Sequence, residues 1–175
     1  EVAREGHRRF VFADGGELFQ RMFFLRGFEN LLIDLLEDRP EVYALRDLVL
    51  GHCLERIELL AESGVVDGII LRDDWGAQTS LMVSPAIWRR VFKPAYARIV
   101  TAIHEAGALA SFHSDGMIAG ILPDLVELGW DELNPQVQVI GIERAARELG
   151  GRVCVRADID RQQTLPRGSP ADVAA

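Results

Sequence analysis

Little in this chain is extreme, and each shortage excludes something. Only two of its 175 residues are cysteine, Cys53 and Cys154, far apart and without a C-x-x-C spacing. A disulfide framework and a cysteine zinc knuckle are thereby excluded. Both thiols read as small core residues, and a reducing cytoplasm fits them. No apolar run approaches the ~20 residues of a membrane span, and no stretch has the pattern of a signal peptide. Lys and Arg number 19 against 27 Asp and Glu, a formal charge of −8, with no basic stripe interleaved with aromatics. Neither nucleic acid nor an anionic membrane is expected as a partner. The nucleotide-binding spacings G-x-G-x-x-G and G-x-x-x-x-G-K-[ST] are both missing, and there is no low-complexity tract or linker.

What remains is an ordinary globular composition, 49% hydrophobic and 26% charged, ordered as alternating strands and helices. Arg9 to Ala13 reads as a strand ending at Asp14, Gly15 and Gly16. Glu17 to Leu36 has helical spacing with a break at Gly27, and a second helix starts at Pro40 and stops at Gly64. Asp67 to Leu71 is the next strand, running into Arg72, Asp73, Asp74, Trp75 and Gly76. Ser84 and Pro85 open a helix that restarts at Pro94 and stops at Gly107. A strand from Ala108, a helix over 117–128, a strand over 132–135, a helix over 142–149 and a strand over 152–157 follow. Ser169 and Pro170 repeat the earlier helix start.

That order predicts a parallel sheet covered by helices. Every strand ends in a polar residue: Asp14, Asp73 and Asp74, His113 and Asp115, Asn134, Asp158 and Asp160. Any one of these reads equally well as a turn or cap residue. Five together favour a (β/α)8 barrel, whose chemistry sits at the carboxyl ends of its strands, over an open doubly wound sheet. A whole barrel needs about 250 residues. The expectation is therefore a single-domain fragment over 1–175, a partial barrel of about five β/α units lacking units at both ends, with sheet edges and apolar helix faces left uncovered.

The chemistry concentrates in the stretch from Ala108 to Gly116. Alternation along a strand puts His113 and Asp115 on one face, their Cα atoms about 6–7 Å apart. They can share a metal ion, or form a hydrogen-bonded pair without one. Asp73, Trp75 and Asp160 are candidate substrate contacts; Asp74, Asn134 and Asp158 are candidate catalytic groups around the mouth. These strand ends offer Asp, Asn and His rather than arginine, which suits a polyanionic substrate poorly. His52 and His104 lie in helical stretches and His7 near the start, none with a His or Cys four residues away.

Several segments in order resemble the uroporphyrinogen decarboxylase superfamily: Asp73 to Gly76, Ser84 and Pro85, Lys93 and Pro94, Phe112 to Gly116, Ile121 to Leu125, Leu133 to Pro135, and Asp158 to Asp160 with Thr164 to Pro166. The resemblance covers about Arg9 to Val173 and implies a TIM-type barrel, with either tetrapyrrole decarboxylation or cobamide-dependent methyl transfer as its activity. The methyltransferases resemble the chain more closely. Their His-x-Cys-Gly motif binds zinc; His113 matches the histidine, Asp115 stands where the cysteine would be, and the region of a later cysteine ligand lies beyond Ala175. A carboxylate in place of a thiolate makes the site harder and favours oxygen-loving cations. The resemblance thus implies metal-assisted methyl transfer, with zinc or another divalent metal at His113 and Asp115, a small-molecule substrate, and a corrinoid on a partner protein. The alternatives it leaves open are cofactor-free decarboxylation of a tetrapyrrole carboxylate and a non-catalytic ligand-binding barrel.

Overall fold

The computed structural model describes residues 9–174; His7 lies outside them. Five strands form one sheet: β1 (Phe12–Gly16), β2 (Gly68–Arg72), β3 (Leu109–Ser114), β4 (Glu132–Pro135) and β5 (Cys154–Val155). All neighbours are parallel, and the spatial order is β1-β2-β3-β4-β5. Chain order equals spatial order with no reversal. A doubly wound sheet reverses at its switch point; a barrel wall does not. The partial barrel expected from the alternation is what the chain forms.

Helices cover the convex side. After β1 come α1 (Phe19–Arg26), α2 (Phe28–Leu36) and α3 (Pro40–Glu62); after β2, α4 (Pro85–Val91) and α5 (Lys93–Glu105). After β3 comes α6 (Leu122–Glu127), after β4 come α7 (Val137–Ile140) and α8 (Ile142–Leu149), and after β5, α9 (Thr164–Arg167) and α10 (Pro170–Ala174). Gly27 divides α1 from α2 with φ 87°, a backbone that glycine adopts without strain. Ser84 caps α4 by accepting the Ile87 N–H at 3.3 Å, with Pro85 in the first turn. No helix among the described residues is long and apolar enough to cross a membrane.

The structure moves three boundaries. β1 starts three residues later than expected and absorbs Asp14, Gly15 and Gly16, because pairing with β2 continues through a bulge there. α6 begins only at Leu122, since Met117 and Ile118 spend their N–H groups on Ala77 and Gly116 carbonyls. β5 shrinks to two residues, as β4 offers it only a short ladder. The one-turn helices α7 and α9 had no periodicity long enough to announce them.

Between sheet and helices lies the core, centred on stacked and edge-on aromatics. Trp75 stacks on Phe19 at 4.0 Å between centroids and meets Phe92 edge-on at 4.5 Å. Trp88 stacks on Tyr96, which contacts Phe112, and Phe112 packs on Trp130. Outside this core, Asp124 of α6 joins Arg89 of α4 and Lys93 of α5, at 2.8 Å to each. Burial pushes the Asp124 carboxyl up, but the hydrogen bonds from Arg89 and Lys93 outweigh it and hold the pKa below its ordinary 3.8.

A carboxyl lowered by folding stabilises the fold fully above its unfolded pKa and loses that contribution as pH falls through the folded value. Urea unfolding across this acid range is expected to show a steeper loss below pH 3.8 for the native sequence than for Asp124→Asn. A parallel pair of curves would refute the assignment.

Candidate functional site

At the end of β2 the chain keeps alternating faces for four residues. Arg72 and Asp74 turn to the concave side, while Asp73 and Trp75 turn to the helices. Asp73 is fully buried. Its carboxylate accepts the N–H groups of Leu18 and Phe19 (2.8 and 3.1 Å), that of Gln20 (2.9 Å), and the Tyr96 hydroxyl (2.7 Å). Helix α1 has no cap from its own first residues, so Asp73 supplies one from 55 residues away. Burial pushes its pKa up to about 6 against these hydrogen bonds. Trp75 is also fully buried, its indole N–H donating to the Tyr96 hydroxyl at 2.9 Å. Both were expected to touch substrate; the pleat sends both into the core, where neither reaches the mouth.

Asp74 meets β3 instead. Its Oδ1 stands 3.7 Å from His113 Nε2, and Asp115 Oδ1 stands 3.6 Å from the same nitrogen. One ligand atom from each of Asp74, His113 and Asp115 lies within 4.8 Å of the others. His113 is 17% exposed and both carboxylates 35%. The sequence placed His113 and Asp115 together; Asp74 joins them because β2 and β3 are in register, with Arg72 opposite His113.

The imidazole is oriented from behind. Asn134 donates its Nδ2–H to the Arg156 carbonyl at 2.7 Å, which fixes its amide, because a carbonyl can only accept. Asn134 Oδ1 then faces His113 Nδ1 at 2.6 Å. The proton of neutral His113 therefore sits on Nδ1, and the Nε2 lone pair faces the two carboxylates. Asn134, expected among the catalytic groups, lies 5% exposed behind the ring, in contact with its Nδ1. Gln20 donates to Asp74 Oδ2 at 3.2 Å, the Asp115 N–H donates to Asp74 Oδ1 at 2.9 Å, and Arg161 forms an ion pair with Asp115.

Two glycines bring the loops together. The loop after β2 and the loop after β3 cross backbone on backbone, with the Gly76 N–H on the Asp115 carbonyl at 3.1 Å and the Met117 N–H on the Ala77 carbonyl at 2.8 Å. A Cβ on Gly116 would lie 2.1 Å from the Gly76 oxygen, and one on Gly76 would lie 2.4 Å from the Met117 nitrogen. No side chain fits at either position.

The remaining candidates stand apart. Asp158 is exposed in the loop after β5, where its carbonyl accepts from Gln138 at 2.8 Å, and it is not among the clustered groups. Asp160 caps its own loop by accepting the N–H groups of Gln162 and Gln163, and these bonds, Gln162 first, lower its pKa. The expected shortage of arginine does not hold. Arg161 pairs with Asp115 of the cluster, while Arg72, the last residue of β2, pairs with Asp14, and Arg156, the residue after β5, pairs with Glu132.

These features define an α/β protein of barrel-type winding, with a histidine and two carboxylates gathered at the carboxyl ends of neighbouring strands. The model of the family described as uroporphyrinogen decarboxylase (URO-D) matches residues 19–175, and the chain belongs to that family. Among solved structures, a methyltransferase from Methanosarcina mazei is similar, with a TM-score of 0.74 over 93% of this chain at 14% identity. The chain spans 47% of that protein, about half its length. No curated protein matches the sequence.

Gly116→Ala is expected to cost about 2–4 kcal/mol of stability, read from thermal or urea unfolding. Gly51→Ala, which meets nothing within 4 Å on α3, serves as the control and should be neutral or stabilising by up to about 1 kcal/mol. Equal behaviour of the two variants would show that the loop crossing is looser than described.

Proposed function

We propose that this chain contributes the metal-holding half of an enzyme for metal-assisted methyl transfer, with Asp74, His113 and Asp115 as the protein ligands of a divalent cation. The observation that carries the proposal is the convergence of one imidazole nitrogen and two carboxylates within 4.8 Å, with the imidazole in the tautomer a ligand needs. Donors about 2.0–2.2 Å from one tetrahedral ion stand roughly 3.4 Å apart. The 3.6 and 3.7 Å separations around Nε2 are close to that and too long for hydrogen bonds. Three protein ligands with a further position open is the catalytic pattern for zinc. Two oxygens and one nitrogen also suit harder divalent cations.

When bound, such a cation supplies Lewis acidity and lowers the pKa of a hydroxyl or thiol at its open position. The protein's part is positional. Asn134 keeps the Nε2 lone pair directed at the carboxylates. Gln20 and the Asp115 N–H hold Asp74, and Arg161 balances the charge on Asp115. A corrinoid on a partner protein would supply the methyl group for a small-molecule acceptor held at this site. Family membership and the fold shared with the Methanosarcina mazei methyltransferase support this choice of reaction. A reducing cytoplasm suits the two free thiols, Cys53 and Cys154.

Purified protein is expected to carry about one equivalent of divalent metal, lost in His113→Ala with Asp115→Ala while the fold persists. Asn134→Ala should weaken the affinity about 10–100-fold without removing a ligand. Metal-bound protein that demethylates a methylated corrinoid in the presence of a thiol or alcohol acceptor would complete the case. Folded protein that binds no metal would sink it, leaving decarboxylation of a tetrapyrrole carboxylate or simple ligand binding.

A further inference from the structure

One contact at the cluster sets two positive groups against each other. Asp115 Oδ1 is the carboxylate oxygen that stands 3.6 Å from His113 Nε2, facing the position a cation would take. The same oxygen accepts an N–H from the Arg161 guanidinium. Arg161 arrives from the loop after β5, 46 residues further along the chain. A carboxylate oxygen shared between a divalent cation and a guanidinium brings like charges into close contact, and each weakens the other's hold.

The segment that carries Arg161 is lightly attached. The Asp160 carboxylate accepts the N–H groups of Gln162 and Gln163, at 2.8 and 3.2 Å, and the Asp160 carbonyl accepts that of Leu165 at 2.9 Å. The turn therefore keeps its shape from within. Side chains hold it to the rest of the molecule. Arg161 reaches Asp115 in the loop after β3, Gln162 donates to Gln78 Oε1 in the loop after β2 at 2.6 Å, and Gln138 donates to the Asp158 carbonyl at 2.8 Å. Among the described residues, no backbone hydrogen bond ties residues 158–163 to the sheet or to helices α1 to α8.

Exposure suits a contact that is made and broken. The Arg161 side chain is 42% exposed and that of Asp115 35%. An ion pair so open to water adds little stability. Such a tie can hold a turn in place and still yield to a cation that gains three ligands at once. The charge that Arg161 balances on Asp115 then passes to the cation together with the oxygen.

We infer that residues 158–163 form a strap latched by Arg161, and that a divalent cation at Asp74, His113 and Asp115 unlatches it by taking Asp115 Oδ1. This rests on the metal reading given under Proposed function and deepens it. Loading of the ion and opening of the mouth become one event, because the ties of the strap land on the two loops that carry the carboxylates. Linkage makes the effect reciprocal: whatever factor zinc adds to opening, opening adds to zinc affinity.

The test combines zinc titration calorimetry with limited trypsin digestion. Trypsin cuts after Arg161 only when that side chain leaves Asp115; cutting after Arg152, which precedes β5 at the opposite end of the strand, is the internal control. Zinc is expected to speed cutting after Arg161 about five- to tenfold relative to cutting after Arg152. Arg161→Gln should bind zinc about five- to tenfold more tightly than wild type, and Arg161→Lys should lie closer to wild type. Gln78→Ala, which leaves every charge in place, should raise zinc affinity and zinc-free cutting after Arg161 about threefold each. Cutting after Arg161 that zinc leaves unmoved, or zinc binding that weakens in Arg161→Gln, would overturn the strap and leave the metal site standing. Zinc taken up by Arg161→Gln and refused by wild type would support the strap in its strongest form. Folded wild type, Arg161→Gln and Gln78→Ala that all refuse zinc would overturn the metal reading and the unlatching with it.

Discussion

The pleat at the end of β2 divides four consecutive residues between two environments, and both the core and the site depend on that division. Asp73 and Trp75 go outward, where one caps α1 and the other stacks on Phe19 in the aromatic centre. Arg72 and Asp74 go inward to stand beside His113. Because the residues are adjacent, the site inherits the rigidity of the core. Asp74 cannot drift without disturbing a carboxylate that is fully buried and accepts four hydrogen bonds.

The same economy operates across the sheet. A backbone carbonyl at Arg156 fixes an amide, the amide fixes an imidazole tautomer, and the tautomer leaves one lone pair facing two carboxylates. Three strands thus cooperate to present a single nitrogen, and no flexible side chain intervenes. The loops that carry the carboxylates are locked as closely, since the Gly76 and Gly116 backbones touch where no Cβ can enter. Such rigidity is what a ligand set needs to hold an ion with little reorganisation.

Away from the site the molecule is less closed. β1 and β5 each have one strand neighbour among the described residues, and Phe24, Leu25 and Leu36 on α1 and α2 are 66%, 62% and 73% exposed. The chain spans about half of its methyltransferase neighbour. The concave face is the inner side of the five-stranded sheet. Its inward residues (Arg72, His113, Asn134 and Arg156) are polar where a packed barrel interior would be branched and apolar.

Local sequence determined the order and type of the main elements, because hydrophobic period, glycine stops and Ser-Pro starts act within a few residues of one another. The breaks at Gly27 and Pro94, the strand through His113 and the helix Ile142–Leu149 needed nothing more. Local sequence also joined His113 to Asp115, since residues two apart share a face while the chain stays extended, and Asp115 is the first residue after β3. It could not say which member of Asp73-Asp74 reaches that face, because the direction of a pleat is set by which side the helices cover. Nor could it show that Asn134 serves His113, or that Arg72 stands opposite it. Those relations are matters of strand register, fixed by pairing between segments 20 to 40 residues apart, and only the folded sheet decides them.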